Sequence, residues 1–136
     1  MSVSGNASHA VTRDADADHA VWSSDQTALV IRYARSVFEM ICAEAVDCFL
    51  AIPRGGLEIG GVLFGLIDGE SVTILARRQL DVEYLTGPSF VLSSTDEEKL
   101  TLLLETYSSE PELETLRPVG WYHSHTRSDI FLSAED

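Results

Sequence analysis

Basic residues are scarce in this chain. Of its 136 residues nine are Lys or Arg, Lys99 being the single lysine, against 22 Asp and Glu, for a net charge of -13. So little positive charge argues against non-specific binding to nucleic acid or to anionic membrane, both of which need basic surface, and leaves proteins or small molecules as partners. Long apolar runs are missing as well. No stretch approaches the ~18 apolar residues of a membrane span, and the N-terminus MSVSGNASHAVTRDADADHAV has no apolar core behind a basic start, so a cytoplasmic protein is expected. Cysteine is limited to Cys42 and Cys48. They lie six apart on a predicted helix and point to different faces, which reads as two reduced, half-buried packing residues rather than a disulfide or metal pair.

Hydrophobic residues make up 45% of the chain, enough for one modest core in one domain. Residues 1–25, rich in Ala, Ser and Asp, show no period that could bury a face and read as a flexible acidic tail. His9 and His19 within it read as solvated. The domain proper is expected over 26–136. TALVIR suggests a short strand, and SVFEMICAEAVDCFLA a helix with Val37, Phe38, Ile41, Ala45 and Phe49 on one core-facing stripe. Pro53, Gly55 and Gly56 end it. IGGVLFGLI and SVTILARRQL read as a hairpin turning at Asp68-Gly69. The segment STDEEKLTLLLETYSSE begins with Ser94 three residues before Glu97, a capping-box pattern, and turns Leu100, Leu103 and Leu104 inward. VGWYHSH is a last strand. The succession predicts an α+β fold, a mixed sheet flanked by helices.

His123, His125, Ser133 and Asp136 crowd into the last fourteen residues. On a strand, side chains two apart share a face, so His123 and His125 would present their imidazoles together while Ser124 faces away. Zinc can bridge such a pair, and two strand-end histidines can equally be hydrogen-bonded and nothing more. LSAED allows Ser133 as a helix N-cap with Asp136 in the first turn. That needs no metal, yet it also holds a carboxylate in a definite direction. His, His and Asp would leave a fourth tetrahedral position for water, as in catalytic zinc sites. Glu58 opens the glycine-rich EIGGVLFG, where it is neither a cap nor an evident ion-pair partner, and is a candidate base. Gly60 and Gly61 weaken a strand unless something packs closely against them.

With these residues the chain resembles the JAMM (MPN-plus) zinc metalloprotease family, whose signature is a glutamate ahead of a glycine-rich strand, then His-x-His, seven residues and Ser-x-x-Asp. Here the seven are Thr126 to Leu132, and the resemblance covers about residues 27–136. It implies a layered fold related to that of cytidine deaminases, with one Zn2+ held by His123, His125 and Asp136. It further implies Glu58 as general base and acid, Ser133 as hydrogen-bond donor to the oxyanion, and cleavage of peptide or isopeptide bonds next to ubiquitin-like or sulfur-carrier-like proteins. Two departures stand out. Thr126 occupies a place that is usually proline, and MPN domains continue past the ligand aspartate, so the C-terminal part of the domain is expected to be missing and the chain to be a piece of a longer one. A non-catalytic MPN-type interaction module is the alternative. A deaminase would need a Pro-Cys-x-x-Cys pairing that Cys42 and Cys48 do not supply.

Overall fold

The computed structural model describes residues 12–13, 18–52 and 56–126. They form a six-stranded mixed sheet with a helix on each face. In chain order the strands are β1 (Thr12–Arg13), β2 (His19–Ser24), β3 (Thr27–Ala34), β4 (Gly60–Asp68), β5 (Ser71–Gln79) and β6 (Arg117–His123). Helix α1 (Arg35–Leu50) follows β3, and α2 (Ser94–Thr106) runs into a short 3-10 turn at Tyr107–Ser109. Across the sheet the order is β1-β2-β3-β5-β4-β6. β3 and β5 are parallel and every other pair is antiparallel. The expected α+β class with a mixed sheet flanked by helices is borne out.

β4 and β5 are the hairpin read from sequence, with a turn one residue later than expected. Asp68 still pairs with Ser71, and Gly69 takes the left-handed backbone (φ 58) beside Glu70, which glycine adopts without steric cost. The second departure lies upstream. Within the span expected as a tail, residues 19–24 pair antiparallel with β3, and Thr12–Arg13 pair with β2. A six-residue strand beside Asp-rich sequence carries too little alternation to be seen alone, and its partner organises it. Ala20 is buried there, and the His19 carbonyl accepts from the Arg35 guanidinium (3.4 Å). His9 lies outside the described residues.

The core sits between β4 and α2. Val62, Phe64 and Leu113 are buried, with Ala76, Leu100, Leu103, Tyr107 and Leu116 against them; the Phe64 and Tyr107 rings meet at 5.2 Å. Leu104, expected inward, is 41% exposed. On the opposite face α1 is seated by Val37 and by an ion pair from Glu44 to Arg77 of β5. The apolar stripe read on α1 is only partly core: Phe38 is 56% and Phe49 44% exposed. Periodicity finds the stripe but cannot say how much of it the sheet covers. Cys48 is half-buried and Cys42 exposed, and both are free thiols. No described helix is long and apolar enough to cross a membrane.

The cap of α2 also shifts by one residue. Ser93, not Ser94, is the N-cap: its hydroxyl accepts from Asp96 N–H (3.1 Å), and the Asp96 carboxylate accepts from Ser93 N–H (3.0 Å). Asp96 is fully buried and also takes the N–H of Glu83 (3.2 Å), while Lys99 stands 3.6 Å away and donates to the Asp81 carbonyl (3.2 Å). The chain's single lysine thus helps anchor the loop between β5 and α2.

Candidate functional site

β6 pairs with β4 so that Gly60 faces His123, and Ser124 continues the pairing by donating its N–H to the Ile59 carbonyl (2.8 Å). This register carries Glu58, just before β4, and His125, just after β6, to the same end of the strand pair. Ser124 turns its hydroxyl onto the Ile59 N–H (2.9 Å). It thereby locks the two chains together at the point where the ladder ends.

The two imidazoles converge. Nε2 of His123 lies 2.9 Å from Nε2 of His125, with the ring centroids 4.9 Å apart. At that distance one Nε2–H can donate to the other ring's lone pair, so the hydrogen-bonded reading and the metal reading use the same geometry. Two nitrogens on one tetrahedral zinc at ~2.0–2.1 Å stand about 3.3 Å apart, a small rotation from what is seen. Two converging imidazole nitrogens are of the kind that zinc takes, and supply two of the donors such a site needs. Among the described residues no group of three or more His, Cys, Asp or Glu side chains is placed to hold a metal ion. Glu58 accordingly does not complete a ligand set with the histidines. Ser133 and Asp136 lie outside the described residues.

Glu58 is half-buried and gripped by the loop 80–93. Its N–H donates to the Pro88 carbonyl (2.9 Å), its carbonyl accepts from the Tyr84 hydroxyl (2.6 Å), and its Oε2 accepts from Phe90 N–H (2.9 Å). The described residues give its Oε1 no hydrogen bond. The glycines of EIGG now have reasons. A methyl on Gly60 would lie 2.5 to 2.8 Å from three ring atoms of Phe90, and one on Gly61 would overlap the Arg78 carbonyl and meet the Tyr122 hydroxyl at 2.9 Å. The Phe90 ring thus lies over Gly60 and the Tyr122 hydroxyl over Gly61, on opposite faces of β4. Phe90 stacks nearly parallel to His123 (6.4 Å, 8°). It went unseen in the sequence because a loop phenylalanine carries no pattern; the signal was the glycine it needs.

On the α1 face Tyr122, Glu44 and Arg77 form a second polar group. Burial, reinforced by the Glu44 charge, pushes the Tyr122 hydroxyl up to about 12. On the α2 face an apolar cavity of about 610 Å³ runs from His123 and Phe90 past Leu92 and Trp121 to Leu100 and Leu104, with Glu97 at its lining.

The chain is similar to COP9 signalosome complex subunit 5 of Candida albicans, 28% identical over 123 residues, which cover 88% of this chain and 19% of that protein. The chain thus spans about a fifth of the length of the relative it matches. No family model matches it, and neither does any solved structure. An MPN-like fold agrees with the α+β architecture described above.

Proposed function

We propose that this chain carries the centre of a zinc-dependent metallopeptidase or isopeptidase that hydrolyses a peptide or isopeptide bond next to a ubiquitin-like or sulfur-carrier-like protein. The observation that carries the reading is the convergence of the His123 and His125 nitrogens at the same strand end as a positioned glutamate. His123 and His125 would hold the metal together with Asp136. When bound, zinc polarises the carbonyl to be cleaved and brings the pKa of a water to about 7. Glu58, fixed through Oε2, takes the proton of the attacking water on Oε1 and delivers it to the departing amine nitrogen, the ε-amine of a lysine where the bond is an isopeptide. Transfer of this kind is worth roughly 10²–10⁴ in rate. Ser133 would donate to the carbonyl oxygen as charge gathers on it. The acidic chain and its apolar cavity suit a protein substrate and not a nucleic acid.

The test separates base from ligand. Glu58→Gln is expected to keep about one zinc per chain by elemental analysis while losing most of the cleavage of a ubiquitin chain or a C-terminal ubiquitin fusion. His123→Ala and His125→Ala are expected to lose zinc as well. Full zinc content in either histidine variant, or wild-type turnover in Glu58→Gln, refutes the assignment. The alternative is a non-catalytic MPN-type interaction module, in which the two imidazoles serve the strand end structurally; absence of zinc from the wild-type protein would favour it.

A further inference from the structure

Glu58 is held more completely than the first residue before a strand requires. Its N–H, its carbonyl and one carboxylate oxygen all engage one loop, through Pro88, Tyr84 and Phe90. The loop is itself fastened at both ends. Leu80 N–H donates to the Gly60 carbonyl (2.9 Å), and the buried Asp96 carboxylate takes the N–H groups of Glu83 and Ser93. Tyr84 sits at φ 54, a left-handed backbone that a bulky residue holds only when its surroundings over-determine it. What that conformation delivers is a hydroxyl on the Glu58 carbonyl.

Phe90 touches both halves of the centre. Its N–H binds Glu58 Oε2, and its ring lies 8° from the plane of His123. A histidine lone pair lies in the ring plane, so rotation about χ2 swings the direction in which Nε2 can bind, and that torsion is intrinsically broad. A nearly parallel neighbour in Phe90 and the contact of His125 with Nε2 restrict that freedom. We propose that Phe90 is a positioning residue coupling the two halves: its backbone orients the Glu58 carboxylate, and its ring, admitted by the missing side chain of Gly60, sets the plane in which His123 presents Nε2. The coupling itself stands on this geometry; only its effect on zinc rests on the function proposed above.

The experiment uses Phe90→Leu, which keeps bulk and N–H but loses the flat ring, Phe90→Tyr, which keeps the ring, and Gly60→Ala, which displaces the ring from outside. The His123 ring-proton NMR signals are read in metal-free protein, and zinc affinity is read with zinc chloride alone against a chelating dye. Phe90→Leu and Gly60→Ala are expected to shift the His123 signals out of the Phe90 ring current. They should weaken zinc about 10–100-fold, as loss of an orienting partner does, with cooperative melting retained. Phe90→Tyr is expected to restore both readouts. Unmoved His123 signals in Phe90→Leu overturn the proposal, as does wild-type zinc affinity in a protein that binds zinc. If Gly60→Ala fails to fold, Phe90→Leu decides alone. Wild-type protein that binds no zinc overturns the proposed function, and the His123 signals then still decide whether Phe90 positions that ring.

Discussion

Asp96 is where the loop that grips Glu58 is most open to perturbation. Its carboxylate is fully buried, closes the cap of α2 on Ser93 and takes the N–H of Glu83. Replacing it by alanine keeps the bond from the residue-96 N–H to the Ser93 hydroxyl but leaves the Ser93 and Glu83 N–H donors, both part-buried, unsatisfied, each costing about 1 kcal/mol or more. Asp96→Ala should therefore lose about 2 kcal/mol in urea unfolding at neutral pH, and Asp96→Asn, which retains one acceptor, about half as much. The pH dependence has a definite sign. Burial alone would raise the carboxyl, but N–H donors from Ser93 and Glu83, the Ser93 hydroxyl and Lys99 outweigh it and hold Asp96 below its usual range. A depressed native pKa means that the unfolded chain binds the proton first as acid is added. The stability Asp96 supplies is thus complete above the ordinary carboxylate range, about pH 4, and is lost as pH falls below it toward the native value. The gap between wild type and Asp96→Asn should narrow in acid. Amide exchange at Glu83 and Ser93 should accelerate in both variants. Wild-type stability for Asp96→Asn at neutral pH, or a gap indifferent to acid, would refute the reasoning.

Gly61→Ala should destabilise by about 1–3 kcal/mol, the usual cost of overpacking, because its methyl meets the Arg78 backbone carbonyl and the Tyr122 hydroxyl; a chemical melt no different from wild type would contradict this. Tyr122, raised to about 12, should ionise well above the ordinary tyrosine value of about 10 in an alkaline absorbance titration. Its raised native value means that its contribution is present below about pH 10 and fades as pH climbs toward the native value, so Tyr122→Phe should flatten the alkaline loss of stability.

The parts of the fold legible in sequence were those that local chemistry dictates. Val62 and Phe64 alternate toward one face because a strand has period two, and Gly69 marks a turn because it accepts a left-handed backbone. The facing of His123 and His125 follows from the same period, and the imidazoles do meet, although His125 lies just beyond the end of β6. What could not be read was set by distant partners. His19 to Ser24 become a strand only beside β3. The helix cap falls on Ser93 and Asp96, not on Ser94 and Glu97, because the Asp96 carboxylate also serves Glu83, ten residues from Ser93 and outside any helical pattern. Phe38 and Phe49 share the stripe of Val37 yet stay exposed, because how much of a stripe the sheet covers is decided by tertiary packing and not by the period. Glu58 was legible as unusual, whereas the three hydrogen bonds that hold it come from a loop with no period at all.

β4 lies between β5 and β6, and its two pairings differ in kind. With β5 it closes through the short turn at Gly69; with β6 it must join residues some sixty positions apart, Gly60 to His123. Hairpins form in about 1–10 μs, whereas a long segment pays a loop-closure entropy before its contacts return anything. The two imidazoles travel with the late strand and the glutamate with the early one. A chain that is only half folded therefore keeps its donors and its carboxylate apart. On this topology, the imidazole pair and the Glu58 carboxylate come together only once the sheet is complete.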